Sequence, residues 1–241
     1  MNRDVIQELA PTGVLRAGIN MSNFLLVTGS TDAGDPTGVS PDMALAVANA
    51  LGVGLSLVPF ATPGELADAA PNDQWDIGNI GAEPQRAEVI AFSPAYCEIE
   101  ATYMVPAGSS ITSIDEVDRP GVRIAVTGRA AYGLWLERAI QHATLVKTDT
   151  LDSSFDAFVD QKLDVLAGLR PKLTSDAQKL EGARILDGKF SAVQQAIGTP
   201  IKNQTAAAWL TTFVEEAKSS GLVAGLIAKH NVQGLSVAPP L

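Results

Sequence analysis

The sequence predicts an α/β protein with two similar halves. Segments with strand character and segments with helix character alternate along the chain, first over 13–80 and again over 122–188. Extended segments near residues 105 and 190 separate these two series. With 241 residues, of which 46% are hydrophobic, the chain can bury a sizeable core in one large domain or two smaller ones.

The first series opens with a strand over 13–20 and a helix over 40–52. Ser40 is expected to be the N-cap of this helix, with Pro41 at its first helical position and Gly52 at its end. The apolar residues of this segment recur at helical spacing. The remaining elements of the series are a strand over 54–60, a helix over 62–70, a strand over 75–80 and an extended segment over 100–108.

The second series repeats the alternation. Its strands are predicted over 122–128, 143–148, 163–169 and 183–188, and its helices over 130–141, 152–162 and 171–180. An extended segment over 190–200 and helices over 203–221 and 222–231 complete the chain. Because an open parallel sheet binds its ligand beyond the carboxyl ends of its strands, a cleft between two facing lobes is the expected site.

The composition argues against several classes of function. The net charge of −10 makes nucleic acids and anionic membranes poor partners, because nothing offsets the repulsion of their phosphates. No run of 18 apolar residues predicts a membrane-spanning helix. Cys97 is the single cysteine and allows no internal disulfide, while His142 and His230 lie far apart in sequence. Neither a metal site nor a cofactor is therefore expected.

The first residues, MNRDVIQELAPTG, do not show a charged segment followed by an apolar one. A secretion signal is therefore not expected in the chain as printed. A protein whose signal has been lost and a protein that stays in the cytoplasm both fit this observation.

Several segments, in the same order, resemble a known family: LRAGI, GVSPDMALAVANALG, DIGNIGAEPQRAEVIAFSPAY, ATYMVPAGS, GVRIAVTGRAAYGLWL and QKLDVLAGL. They are similar to the family 3 solute-binding proteins of ABC transporters, which are type II bilobal, amino-acid-binding proteins. The resemblance implies a periplasmic binding protein-like type II fold, in which two α/β lobes are joined by two crossing strands and close on a ligand by hinge bending. It also implies a monomer in the periplasm that delivers its ligand to a membrane permease.

The resemblance further implies where the lobes begin and end. Lobe 1 is expected to comprise residues 1–105 plus 192–241, and lobe 2 residues 106–191. The hinges are expected near 104–108 and 190–194.

In lobe 1, Arg86 matches the family arginine that pairs with the α-carboxylate of the ligand. A planar guanidinium suits this role because it donates two parallel hydrogen bonds to a carboxylate. An exposed arginine that pairs with Glu83 or Glu88 is the alternative. Asn79 and Gly81 stand where the family presents a hydroxyl or a backbone amide. The other lobe 1 candidates for ligand binding are Glu83, Asn20, Asn23, Phe24 and Gln194.

In lobe 2, the family binds the anionic end of its ligand at the segment that follows the first strand. Ala130 and Ala131 occupy the usual hydroxyl positions, so only backbone amides remain there, and Thr127 is expected to cap the helix that follows. Arg129 and Tyr132 are further candidates for the cleft, although each could equally lie on the surface or in the core.

Leu169 occupies the position where amino-acid binders of the family commonly carry an acidic residue for the α-ammonium group. A buried ammonium group without a carboxylate would cost several kcal/mol. The expected ligand is therefore a small carboxylate, with a second polar or anionic end that faces Arg129 or Arg170. Arg170 as a surface residue at a helix start is the alternative.

Two other functions remain open on the same fold. One is an enzyme that resembles cyclohexadienyl dehydratase, for which Glu83 is the only obvious carboxylate beside Arg86. The other is a ligand-sensing module, which would need a separate signalling chain. The expectation is a binding protein without catalytic activity.

Overall fold

The computed structural model describes residues 2–241 and confirms the α/β class. The chain forms two compact units: unit 1 runs to Glu98 and resumes over Gln194–Leu241, and unit 2 comprises Ile99–Val193. The predicted hinges near 104–108 and 190–194 stay predictions.

Unit 1 begins with alternating helices and strands. In chain order its first elements are α1 (Asn2–Leu9), β1 (Val14–Asn20), β2 (Gly29–Ser30), β3 (Pro36–Thr37), α2 (Val39–Leu51), β4 (Gly54–Phe60), α3 (Pro63–Ala69), a 3-10 turn (Ala70–Asn72), β5 (Ile77–Gly81), a second 3-10 turn (Arg86–Glu88) and β6 (Ile90–Val105). The long strand β6 leads from unit 1 into unit 2.

Unit 2 continues with a second alternating series. Its elements are a 3-10 turn (Ile114–Glu116), β7 (Arg123–Thr127), α4 (Ala131–Ala139), β8 (Thr144–Thr148), α5 (Leu151–Asp160), β9 (Val165–Leu169), α6 (Arg170–Ala177) and β10 (Arg184–Ile185). Strand β11 (Ser191–Pro200) leads back into unit 1, which ends with α7 (Gln204–Ser219), α8 (Leu222–Lys229) and β12 (Ser236–Val237).

Each unit contains strands in parallel register. In unit 1 the strand order is β4-β1-β5-β11-β6, with β1 parallel to β4 and β5 and β11 antiparallel to β5. In unit 2 the order is β6-β9-β7-β8, with β7 parallel to both of its neighbours and β9 antiparallel to β6. Such parallel sets, with helices between their strands, are what the alternating pattern predicts.

The apolar core of unit 1 shows which side chains of β5 face α3 and which face the other side of the sheet. Ile80 packs with Leu66 and Trp75 in one buried cluster on the α3 side. The indole nitrogen of Trp75 donates to the carbonyl of Leu66 at 2.9 Å, so even the polar atom of this side chain is satisfied within the core. Because side chains alternate along a strand, Asn79 faces the opposite side of the sheet.

The start of α2 differs from the prediction. Gly38, not Ser40, is the N-cap, and α2 begins at Val39. The Ser40 hydroxyl instead lies 3.2 Å from the buried hydroxyl of Tyr96, so it joins α2 to β6 rather than capping the helix. Gly52 ends the helix in the left-handed conformation, as predicted.

Helix α1 was not predicted from the sequence, and the predicted strand over 183–188 is shorter than expected. Val5 and Leu9 of α1 are buried, and the Glu8 carboxylate accepts a hydrogen bond from the backbone amide of Ala206 in α7. The segment over 183–188 contributes only the two residues of β10 to a strand. None of the described helices is long and apolar enough to cross a membrane.

Candidate functional site

The carboxyl ends of three parallel strands of unit 1 lie side by side. Asn20 at the end of β1 is in register with Phe60 at the end of β4, and Ile19 is in register with Asn79 of β5. Gly81 ends β5 at the same edge. An open sheet of this kind binds ligands beyond these ends, so the candidate site of unit 1 is built from this edge.

Arg86 is buried at this edge. Only 4% of the residue is exposed, although arginine is among the residues that are least often buried. Its Nη1 donates to the carbonyl oxygen of Gly81 at 2.6 Å, which fixes the guanidinium against the last residue of β5. The turn that carries it is held by backbone hydrogen bonds from Arg86 and Ala87 to the carbonyl of Glu83. Arg86 is thus not the exposed arginine that the sequence left open.

Asn79 is the second polar residue of the edge. It is 1% exposed, and neither its amide nitrogen nor its amide oxygen has a hydrogen-bond partner among the described residues. Buried carboxamides in native proteins are almost always hydrogen-bonded, so Asn79 needs a partner from outside these residues, such as a ligand or a water molecule.

The loop after β1 holds the other predicted residues of this edge. The side-chain oxygen of Asn20 accepts hydrogen bonds from the backbone and the hydroxyl of Ser22, and that of Asn23 accepts from the backbone of Leu25. Both side chains therefore shape their own loop. Phe24 is 38% exposed beside them and offers an apolar ring to solvent.

The two glutamines of β11 point to opposite faces. The Gln194 side chain donates to the carboxylate of Glu98 at 2.9 Å. Gln195 is 4% exposed and pairs directly with Gly81 across the sheet. The sequence analysis named Gln194 as the candidate, but the register of β11 against β5 shows that it is Gln195 that lies beside Gly81.

In unit 2, the chain turns sharply between β7 and α4. Arg129 is exposed and has a φ of 59°, in the left-handed region, and Ala130 is the N-cap of α4 without a side-chain hydrogen bond. The predicted cap, Thr127, is wrong: its hydroxyl lies 2.8 Å from that of Ser154 in α5. Ala131 is buried in the first turn of α4.

Tyr132 is buried on α4, at 3% exposure. Burial raises its pKa to about 12, and hydrogen bonding with Thr127 offsets part of that rise. The phenol therefore keeps its proton at physiological pH and hydrogen-bonds with Thr127 inside unit 2.

Arg170 is engaged within unit 2. Its Nε donates to the Glu100 carboxylate at 2.8 Å and its Nη2 donates to the carbonyl of Gly188. Lys189 lies 3.7 Å from the same carboxylate. Leu169, where the family commonly has an acid, is 7% exposed and ends β9. The carboxyl end of β9 is therefore apolar, with one acid nearby that already has two cationic neighbours.

Unit 2 also contains a cavity that the sequence analysis did not predict. It measures about 830 Å³ and lies at the amino ends of β7 and β9, the opposite edge of the strands from Thr127 and Leu169. Its walls come from the loops over 106–111 and 119–122 and from α5, and none of the predicted site residues lines it. No group of three potential metal-ligating side chains is present in the part of the chain that the structure describes.

The comparisons with known proteins agree on one fold. The family model of the bacterial extracellular solute-binding proteins, family 3, matches residues 15–233. No curated protein matches the sequence. Among solved structures, an ancestral amino acid-binding protein, described as a precursor of cyclohexadienyl dehydratase, is 21% identical with a TM-score of 0.73, covering 93% of this chain and 98% of its own.

Two further structures are similar. A putative binding component of an ABC transporter from Wolinella succinogenes, complexed with lysine, is 21% identical with a TM-score of 0.74, over 90% of this chain and 95% of that one. Holo ArgBP from T. maritima is 19% identical with a TM-score of 0.69, over 93% and 98%. At these identities the likeness establishes the type II periplasmic binding protein fold that the sequence predicts.

Proposed function

Because this chain belongs to the bacterial extracellular solute-binding proteins of family 3, we propose that it captures a small carboxylate-bearing ligand for an ABC-type uptake system. The ligand carboxylate pairs with Arg86. The binding protein works outside the inner membrane as a monomer and passes its ligand to a membrane permease. This proposal treats the protein as a receptor that releases its ligand unchanged, not as an enzyme.

The observation that carries the proposal is the burial of Arg86 at the carboxyl end of β5. The Gly81 carbonyl orients the guanidinium from one side, so its plane is set before any ligand arrives. Preorganisation of this kind reduces the entropy lost on binding, because the side chain does not have to be immobilised by the ligand. A guanidinium also discriminates for planar anions more sharply than an ammonium does.

The ligand is not expected to be an ordinary α-amino acid. In unit 2 the position of the family's acid is taken by Leu169, and Glu100 is neutralised by Arg170. A desolvated α-ammonium group would therefore lack a carboxylate partner in unit 2. We expect instead an organic acid whose second functional group is uncharged or anionic.

Isothermal titration calorimetry with a panel of amino acids, 2-oxo acids and dicarboxylates tests the proposal. A ligand present at a hundredfold excess over its Kd should stabilise the protein by about 2.7 kcal/mol, or about 5–11 °C in Tm for a chain of this size. Chromatography of the incubated ligand should return it unchanged. Conversion to a product would support the dehydratase-like alternative, and tight binding of an α-amino acid would contradict the charge argument.

Arg86→Lys keeps the positive charge but removes the planar guanidinium, so it tests whether the guanidinium geometry contributes to ligand binding. We expect it to weaken carboxylate binding about 10- to 100-fold, because the loss of a charge-assisted hydrogen bond costs about 1.5–3 kcal/mol. Arg119→Lys is the matched control, since Arg119 is 56% exposed in unit 2 and pairs with Glu116. Equal affinities for the two variants, at unchanged Tm, would refute the role of Arg86.

A further inference from the structure

Two buried carboxamides flank Gly81 on one face of the unit 1 sheet. Gln195 of β11 is paired with Gly81 of β5, and Ile197 is paired with Asn79. Residues directly opposite each other in an antiparallel pair point to the same face, and residues two apart on one strand do so as well. Asn79, Gly81 and Gln195 therefore share a face, opposite to the one that packs against α3.

The two carboxamides do not satisfy each other. Asn79 is 1% exposed and Gln195 is 4% exposed, so both have lost most of their contact with water. Neither polar atom of the Asn79 side chain has a hydrogen-bond partner among the described residues, which includes Gln195. Diagonal neighbours of this kind lie about 7–8 Å apart, a separation that a small polar group can bridge. Desolvating a carboxamide without such a partner costs free energy in the folded protein.

Gly81 connects this pair to the arginine. Because it has no side chain, Gly81 itself places no atom beyond its backbone between Asn79 and Gln195 on their shared face. The carbonyl of Gly81 accepts the hydrogen bond from Nη1 of Arg86. A ligand whose carboxylate lies on Arg86 would thus place the atoms next to that carboxylate close to both carboxamides.

We propose that Gln195, together with Asn79, determines specificity by selecting carboxylates that carry a neutral hydroxyl or carboxamide group beside the carboxylate. This inference rests on the proposed function of Arg86. Each carboxamide both donates and accepts hydrogen bonds, and so does a hydroxyl or amide group on the ligand. An ammonium group has three donors and no acceptor, and it would leave the amide N–H groups of Asn79 without a partner. An aliphatic group would leave the whole Asn79 carboxamide unsatisfied.

Calorimetry with matched pairs of ligands tests this selection. Lactate is compared with propionate, which lacks the hydroxyl, and malonamate with butyrate, which lacks the amide. We expect the wild-type protein to bind at least one polar member about tenfold or more tightly than its apolar counterpart, and the pair that shows the preference identifies the group. Gln195→Leu and Asn79→Leu should each reduce that preference to less than about threefold while binding of the apolar member is retained.

Gln194→Leu is the control, because the adjacent glutamine points to the other face and bonds to Glu98. It should keep the wild-type preference. The melting temperature of ligand-free Asn79→Leu gives a second measurement. It should equal or exceed that of the wild type, since the variant removes a buried polar group that has no partner.

The outcomes separate this inference from the proposed function. If carboxylates bind through Arg86 but show no polar preference, or if the leucine variants keep it, the pair holds at most an internal water molecule and the inference is wrong. A Tm of Asn79→Leu well below the wild type would also contradict it, because the carboxamide would then be satisfied within the protein. If the wild-type protein binds none of the tested carboxylates, both proposals are wrong.

Discussion

Gly133 gives the sharpest test of how the segment before α4 is packed. A Cβ atom added at this position would lie 2.2 Å from the backbone carbonyl oxygen of Thr127, at the end of β7. Carbon and oxygen atoms in close contact are normally about 3.3 Å apart, so α4 would have to move by roughly 1 Å. The opposing atom belongs to the backbone of a buried strand, so it cannot move aside as a flexible side chain could. We therefore predict that Gly133→Ala destabilises unit 2.

A second helical glycine provides the matched control. Gly225 lies within α8, and an added Cβ would meet no atom within 4 Å. Both substitutions gain about 1 kcal/mol of helix propensity, so their difference isolates the steric term. Overpacking in a well-packed region costs about 1–3 kcal/mol. Gly133→Ala should therefore be about 1–3 kcal/mol less stable than Gly225→Ala.

Differential scanning calorimetry measures this difference. For a chain of this size, 1 kcal/mol corresponds to about 2–4 °C, so the two variants should melt about 2–12 °C apart. Gly225→Ala should melt at or above the wild-type temperature. Equal melting temperatures for the two variants would show that α4 has room to move, and the tight contact between α4 and β7 would then not fix the position of Ala130 and Ala131.

Three other predictions follow from buried or partly buried polar groups. Burial alone would raise the pKa of Asp42, but hydrogen bonds with Lys229 and His230 outweigh it, so the pKa is lowered. Asp42 therefore stabilises the folded protein at pH values above its unfolded pKa of about 3.8. That contribution is lost as the pH falls through the lower folded pKa, and Asp42→Asn should flatten the fall in Tm between about pH 5 and 2. Glu8→Ala should destabilise unit 1 by about 1 kcal/mol in denaturant unfolding, because its carboxylate satisfies an amide in the first turn of α7, whereas an unchanged midpoint would contradict a capping role. Cys97 is fully buried and burial raises its thiol pKa, so the native protein should not react with a thiol reagent until it is unfolded, and rapid labelling under native conditions would be inconsistent with this packing.

The elements that the sequence predicted well are those with a local signal. The helix over 40–52 combines apolar periodicity with Gly52 at its end, and both features act within a few residues. Helix α1 has only eight residues, about two turns, yet Val5, Ile6 and Leu9 recur at helical spacing, so the helix itself does have a local signal. Its position depends on contacts with α7, almost 200 residues later, such as that between Glu8 and Ala206. No local pattern carries that information.

The candidate site likewise has features that a local sequence pattern predicts and features that depend on distant contacts. Arg86 could be predicted as a ligand-binding candidate from the segment DIGNIGAEPQRAEVIAFSPAY, which resembles the family. Its burial and its hydrogen bond to Gly81 depend on how the turn folds back onto β5. Arg170 was a candidate for the ligand because its partner, Glu100, is 70 residues away and is brought beside it by the pairing of β6 with β9. Gln195 was not chosen because the face of a strand residue is known only once its register is known.

If Arg86 binds the ligand carboxylate, as we propose, the residues around it narrow the chemistry of the ligand. In unit 1 the buried Arg86 bonds to the carbonyl of Gly81, which is paired with Gln195 and lies two residues from Asn79. In unit 2 the position at which the family commonly carries an acid is the apolar Leu169. A zwitterionic ligand would also bring an ammonium group, and desolvating that group without an acidic partner would offset much of the energy gained from the carboxylate. An anionic ligand with a neutral polar group meets no such cost. Both its carboxylate and its polar group then find partners, which is why the missing acid and the unsatisfied carboxamide point to the same class of solute.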